Sequence, residues 1–325
     1  SEMCIRDSFN NELGLPLTVF RLRDEDQIAV LEMGISDFGE MTRLTKIARP
    51  DTCVITNIGT CHLENLGDRD GVLKAKTEIF QSMKPNGHIV LNGDDDKLIT
   101  VREYNGVKPV FFGLNSERDV YADQIESKGL KGVACRIHLG EDAFDVLVPT
   151  PGIHMVYNSL AAAAVGRIYG LTIEEIRRGI ESLETIRGRF KMIETDKFLV
   201  VDDCYNANPM SMKASLDVLH DGEGRRVAIL GDMGELGEDE AALHEGVGIH
   251  AATCGIDACV CVGDLAVHIA EAARKANPDF PVYYEKTRES LLEHLNDYVQ
   301  KGDTILVKAS HFMKFEEVVK ALEEM

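Results

Sequence analysis

The chain has 325 residues, enough for about two domains. Its 55 acidic residues against 35 basic ones give a net charge of −20, which argues against nonspecific nucleic-acid binding, a function that needs a basic footprint. No apolar run reaches about 18 residues, so no membrane-spanning helix is expected. The eight cysteines are scattered without a C-x-x-C pair and read as free thiols of a reducing cytosol rather than as a zinc site.

Ser1 to Ser8 (SEMCIRDS) has neither the apolar core of a signal peptide nor a helical pattern. It reads as a translated sequencing-adaptor scar, which would make the chain start in the middle of a longer protein. Phe9–Leu17 is a loop by its Asn, Gly and Pro content. Ile28–Leu31 reads as a buried strand closed by Glu32, and Gly39–Ile47 as a short helix. Asp51–Phe80 follows: a β-branched strand (Val54–Thr56), a loop with His62 and Glu64, and a helical pattern from Asp70 to Met83 that carries Lys74 and Lys76. A histidine, a carboxylate and a lysine just past a strand end occupy the place where open α/β sheets bind ligands. Glu32 suits either a strand-end carboxylate bonded to a helix N-terminus or, with His62, a magnesium ligand beside a phosphate.

His88–Asn92 and Pro109–Leu114 are further buried strands, and strands alternating with helices indicate a parallel sheet. Asp119–Val148 then shows three short alternating runs, expected as a small antiparallel excursion. Helices are expected at Met155–Ile168 and Thr172–Leu183, with Thr172 and Glu175 spaced as a capping box. From Phe198 a second doubly wound unit begins. Its strands are Phe198–Val201, Val227–Leu230, Ala258–Val262, Val282–Tyr284 and Thr304–Val307, with helices between them and a last helix from Lys314. The Leu230–Gly237 segment is glycine-rich but is not G-x-G-x-x-G, and no G-x-x-x-x-G-K-[ST] loop occurs.

The segments LEMGISDFGE, ITNIGTCHLE, KAKTEIF, LNGDDD, PGIHMVYNSLAAAA, RGRF, VDDCYNANPMSM, ILGDMGELG and LVKAS, in this order, resemble the Mur ligase superfamily over the span from Phe9 to the C-terminus. YNAN and GDMGELG resemble its D-Ala-D-Ala-adding branch. The resemblance implies an α/β fold. A central ATP-binding domain, truncated at its start, would occupy residues 9–192, with a mostly parallel sheet and the small antiparallel excursion. A Rossmann-like ligase domain would occupy 193–325. The implied reaction is amide formation through an acyl phosphate, joining D-Ala-D-Ala to UDP-MurNAc-tripeptide with ATP and Mg²⁺, in a cytoplasmic monomer.

Residue by residue, the resemblance implies magnesium ligation and catalysis by Glu32, His62 and a carbamylated Lys76. It implies nucleotide contacts from Asn158, Arg189 and Asp203. It implies substrate contacts from the Tyr205, Asn206 and Asn208 loop and from Lys308 and Ser310. Four have a competing structural reading: a solvated helix lysine for Lys76, a helix cap or packing residue for Asn158, a boundary ion pair for Arg189, a loop cap for Asp203. The family's KGSR form stands here as Lys308-Ala309-Ser310-His311, with histidine in place of a guanidinium. A folylpolyglutamate-synthase-like ligase and a noncatalytic two-domain binding module are the rival readings. Because the phosphate loop of the family lies upstream of Phe9, the chain alone is expected to form no amide from ATP, UDP-MurNAc-tripeptide and D-Ala-D-Ala. Product detected by chromatography would refute that expectation.

Overall fold

The computed structural model describes residues 10–60 and 62–325; Ser1–Ser8 and Cys61 lie outside them. The chain forms two compact units. The first comprises Ser1–Gln124, Arg136–Val146 and Tyr157–Gly179, and the second Ile125–Cys135, Leu147–Val156 and Ile180–Met325.

In chain order the first half runs α1 (Gly14–Val19), α2 (Glu40–Ala48), β1 (Thr52–Ile55), α3 (Leu63–Leu66), α4 (Arg69–Thr77), β2 (His88–Asn92), β3 (Val110–Gly113), β4 (Val120–Ser127), β5 (Val133–Leu139), β6 (Asp142–Val148), α5 (Ile153–Ile168) and α6 (Ile173–Glu181). One sheet takes the order β1-β2-β3-β4-β5-β6, and the pairs from β1 to β4 are parallel. The two residues between β5 and β6 allow only a hairpin, so the antiparallel excursion is real. Leu15, Leu44, Ile58, Phe80, Ile89, Leu91 and Leu98 form the core under β1 and β2. The Thr172–Glu175 box caps α6: Thr172 N donates to Glu175 Oε2 (2.8 Å) and Glu175 N to Thr172 Oγ1 (3.3 Å).

One expected strand is absent. Ile28–Leu31 is irregular, with Ile28 57% and Val30 92% exposed. An apolar run becomes a strand only where a neighbour accepts its backbone groups, and this segment joins neither sheet. Glu32 is accordingly not a buried strand-end carboxylate. It is exposed, and its Oε1 accepts from Asn10 Nδ2 at 3.2 Å.

The second half runs β7 (Lys191–Glu194), β8 (Leu199–Asp202), α7 (Pro209–His220), β9 (Arg226–Gly231), α8 (Glu240–Thr253), β10 (Ala258–Val262), α9 (Ala266–Ala276), β11 (Val282–Glu285), α10 (Arg288–Tyr298), β12 (Thr304–Lys308) and α11 (Glu316–Glu324). Its sheet has the order β11-β10-β9-β12-β8-β7, parallel except for β7 on β8. Residues of α7, α8 and α9 cover one face (Met212, Leu216, Val247, Ala251, Ile269), and those of α10 and α11 cover the other (Leu291, Leu295, Val318, Leu322). Burial on both faces explains the continuous apolar strands. Among the described residues, six cysteines are free thiols. Burial pushes that of Cys53 up to about 12, while Cys259 and Cys261 share one side of β10 with sulfurs 3.6 Å apart.

The loop after β9 is fixed by a buried imidazole. His244 is fully buried; its Nδ1 lies 2.7 Å from the Glu240 carbonyl and its Nε2 accepts from Met233 N at 3.0 Å. This geometry requires the neutral ring with its proton on Nδ1. Burial pushes its pKa below the usual 6.5, against smaller opposing pulls from the Glu240 carbonyl and Asp232. The folded state therefore refuses a proton that the unfolded chain accepts. Its contribution to stability is complete above about pH 6.5 and declines as pH falls toward the folded value. His244→Gln, which stays neutral, is expected to reduce the drop in melting temperature between pH 7 and pH 5. A second expectation concerns Gly248 in α8, where a Cβ would overlap the Ile269 carbonyl of α9. Gly248→Ala gains about 1 kcal/mol of helix propensity, but overpacking of about 1–3 kcal/mol should outweigh it. Denaturant titration is expected to show net destabilisation.

Candidate functional site

In the first unit, Lys76 sits at the C-terminal end of β1, and His62 lies a few residues beyond it in the chain. Lys76, in the last turn of α4, is half-buried, and its Nζ donates to the Asn57 carbonyl at 3.0 Å. The helix that carries it starts with Asp68, whose side chain accepts from Gly71 N (2.8 Å). Arg69 adds a tie back to the strand end, with Nε on the Ile58 carbonyl at 3.0 Å and its guanidinium on Asp96. Asp95 clamps the same place from the loop after β2. One of its oxygens accepts from Ile58 N (2.8 Å), the other from Lys97 N and Leu98 N. The GDDD run is thus a fastening between two strand ends.

His62 precedes α3 with a left-handed backbone, φ +59°, an unusual conformation for a non-glycine residue. Asn65 of α3 donates to the Ser36 carbonyl at 3.1 Å, which ties the His62 helix to the loop that follows Glu32. That loop is organised by two carboxylates that pattern reading passed over. Glu40 accepts from Ser36 N, and Glu78 accepts from Gly39 N, Thr42 N and Thr42 Oγ1. Glu78 answers free N–H groups at the start of α2, where negative charge is favoured, and Glu40 answers one in the turn before it. The loop after Glu32 is thus tied to α3 and to the segment that follows α4, while Lys76 is tied to the residues after β1. Among the described residues, no three His, Cys, Asp or Glu side chains group closely enough to hold a metal ion. A carboxylate and an imidazole are present, and Lys76 as an ammonium is a donor, not a ligand.

In the second unit the candidates lie at the C-terminal ends of three adjacent strands, β8, β12 and β9. Asp202 and Asp203 end β8 and serve opposite sides. Asp202 is buried, accepting from Gly188 N (2.9 Å) and from the Cys204 thiol (3.0 Å). Asp203 pairs with Lys308 Nζ at 2.6 Å and also accepts from Ser215 Oγ (2.7 Å) and Phe190 N (3.2 Å). Lys308 is 2% exposed and donates as well to the Asn206 carbonyl at 3.1 Å. A buried charge is tolerated only when paired in this way. Asp203 thus caps a loop through Phe190 N, as one reading of the sequence had it, and pairs with Lys308 as well.

Ser310, after β12, accepts from Gly234 N at 3.0 Å and donates to the Ala207 carbonyl at 3.4 Å, tying the three strand-end loops together. Arg189 lies with its guanidinium over the Tyr205 ring (4.5 Å), and His311 meets that ring edge-on at 5.5 Å. Asn206 is exposed, while its Oδ1 accepts from Ala207 N. Asn208 is a helix cap: its Oδ1 accepts from Ser211 N (2.9 Å) in a capping box that starts α7. Asn158 is exposed on α5. Ser215 and Asp202, which hold Asp203 and its strand end in place, carry no sequence signal beyond the doubled aspartate.

Residues 4–166 match the Mur ligase middle domain, and residues 188–311 match the Mur ligase glutamate ligase domain. The UDP-N-acetylmuramoyl-tripeptide–D-alanyl-D-alanine ligase of Bacillus subtilis (strain 168) is 37% identical over 320 residues, 98% of this chain and 69% of that protein. The enzyme of the same name from Escherichia coli (strain K12) is 35% identical over 321 residues, 98% and 70% of the two chains. Among solved structures, MurF from Acinetobacter baumannii superposes with a TM-score of 0.89 at 32% identity, covering 98% of this chain and 70% of that one. The MurF ligase of Thermotoga maritima in complex with ADP gives 0.83 at 29%, covering 96% and 71%. With both domain signatures in order, and relatives of this identity over nearly its whole length, the chain belongs to the Mur ligase family.

Proposed function

We propose that the chain carries the catalytic and acceptor parts of an ATP-dependent ligase that joins D-Ala-D-Ala to UDP-MurNAc-tripeptide in peptidoglycan precursor synthesis. The observation that carries this reading is the Lys308–Asp203 pair at 2.6 Å, set at the C-terminal ends of three adjacent strands together with Ser310. ATP phosphorylates the tripeptide carboxylate, the dipeptide amine attacks the acyl phosphate, and phosphate leaves. Magnesium, when bound, neutralises the transferring phosphoryl group. Glu32 and His62 are its protein ligands in this reading. Lys76 joins them once its neutral amine has added to carbon dioxide, with loss of a proton, to give a carbamate whose oxygens suit a hard cation. The Lys76 bond to the Asn57 carbonyl holds the side chain at the strand end where that carbamate is needed.

Asn158, Arg189 and Asp203 contact the nucleotide in this reading. The Arg189–Tyr205 stack presents a flat cationic surface of the kind that accepts a ribose or a phosphate edge. Tyr205, the exposed Asn206, Lys308 and Ser310 face the acceptor, and Asn208 supports them as the cap of α7. The reading places the protein in the cytoplasm, where UDP-linked precursors and ATP are available, and takes the monomer as the working form.

The test joins this chain to the remaining third of the Bacillus subtilis relative and supplies ATP, Mg²⁺, UDP-MurNAc-tripeptide and D-Ala-D-Ala. ADP, phosphate and the extended peptide are expected in equal amounts. Glutamate accepted in place of D-Ala-D-Ala would sink the assignment in favour of another family activity. Lys76→Ala should lower the rate on the order of 10²–10³-fold, as expected on removing one electrostatic group from such a site. Carbon-13 NMR in labelled bicarbonate should show a carbamate carbon that this variant lacks; its absence from the unmodified protein would remove the modified lysine.

A further inference from the structure

The segment leading into α5 contains two polar atoms that nothing satisfies. Thr150 Oγ1 and His154 Nδ1 are both sealed from solvent without a hydrogen-bond partner. The His154 ring is firmly seated: Gly152 has φ +97°, and a Cβ there would run into the imidazole. A ring needed only for packing would be better as phenylalanine, because burying a nitrogen without a partner is unfavourable. The charged groups that act on the ring are Asp203 and Lys308, the two members of the strand-end ion pair. Burial, the largest influence, keeps the imidazole neutral; Asp203 draws it the other way and Lys308 supports neutrality.

Lys308 itself has three N–H donors. Two are accounted for, on Asp203 Oδ2 and on the Asn206 carbonyl. The ammonium is almost wholly buried, so any ligand that draws Asp203 away leaves it short of an acceptor where water cannot replace one. A neutral imidazole with an unused ring nitrogen is the acceptor that could take over.

We propose that His154 is a positioning residue of the nucleotide site: when bound nucleotide engages Asp203, His154 Nδ1 accepts the hydrogen that Lys308 withdraws from that carboxylate. The step moves a hydrogen bond and transfers no proton. This inference rests on the ligase reading, in which Asp203 contacts the nucleotide. It assigns His154 a role in the loaded state and none in holding the free protein together.

The experiment measures Mg-ADP binding by calorimetry between pH 5.5 and 8, together with thermal melting, on this chain joined to the remaining third of the Bacillus subtilis relative and on its His154→Phe and His154→Asn variants. His154→Phe is expected to melt at or above the temperature of the unaltered protein and yet to bind Mg-ADP about tenfold more weakly. His154→Asn, which restores a polar atom near the Nδ1 position, should recover part of that loss. Binding to the unaltered chain should weaken as pH falls, because a protonated ring cannot accept; binding to His154→Phe should lose that dependence. Nitrogen NMR of the imidazole adds a check that needs no ligand: Lys308→Met should raise the His154 titration midpoint and Asp203→Asn should lower it. His154→Phe with unchanged affinity and an unchanged pH profile would overturn the inference alone. An unaltered chain that takes up no Mg-ADP would overturn the nucleotide reading beneath it as well.

Discussion

The second unit depends on one buried ion pair. Lys308 ends β12 and Asp203 follows β8, two strands that lie side by side. Their salt bridge closes the sheet at the end where the loops gather. Removing either partner leaves a charge with little water to solvate it, a loss of about 3–5 kcal/mol for a buried pair. Ser215 from α7, Phe190 N from the RGRF segment and the Asn206 carbonyl all converge on the same two charged groups. The strand-end loops are thus referenced to a single electrostatic point. The backbone bond from Asp203 N to the Val307 carbonyl (3.0 Å) holds that point in register.

The first unit solves a related problem by other means. Its strand-end loops are fastened by carboxylates that accept backbone N–H groups: Asp95 at Ile58, Glu78 at Gly39 and Thr42, Glu40 at Ser36. Such caps satisfy orphan donors and leave the site residues themselves at the surface. Glu32 is exposed and His62 and Lys76 are half-buried, an arrangement suited to groups that must meet a solvated ligand. Many acidic side chains are needed for this work, which accounts for part of the net charge of −20.

The second unit was largely legible from its sequence, because strands covered on both faces are written as unbroken apolar runs such as Ala258–Val262 and Thr304–Val307, and helices separate them at regular intervals. The antiparallel excursion and the Thr172–Glu175 cap were equally plain. Ile28–Leu31 misled because hydrophobicity reports what a segment prefers to bury, while a strand also requires a neighbour for its backbone. The candidate site divided along the same line. Asp203, Lys308 and Ser310 belong to motifs with a family signature, so their importance showed before their contacts did. Asn208 sits in the same kind of motif and also caps α7, which only the geometry of Ser211 shows. His154 lies in the PGIHMVYNSLAAAA segment, but its missing partner did not show there, since an unsatisfied buried nitrogen is a property of three-dimensional surroundings.

The sealed thiols give this protein its own clock. Cys53 lies in the core of the first unit, and Cys204, Cys259 and Cys261 lie in that of the second, all buried. Burial raises the pKa of Cys53 and Cys204, and the hydrogen bond with Cys261 together with burial raises that of Cys259, so the reactive thiolate is scarce while the fold is closed. An alkylating reagent then modifies each at a rate set by how often its surroundings open, rather than by the chemistry of sulfur. Peptide mapping after brief labelling would resolve, unit by unit and without any engineered reporter, which half of the chain breathes first.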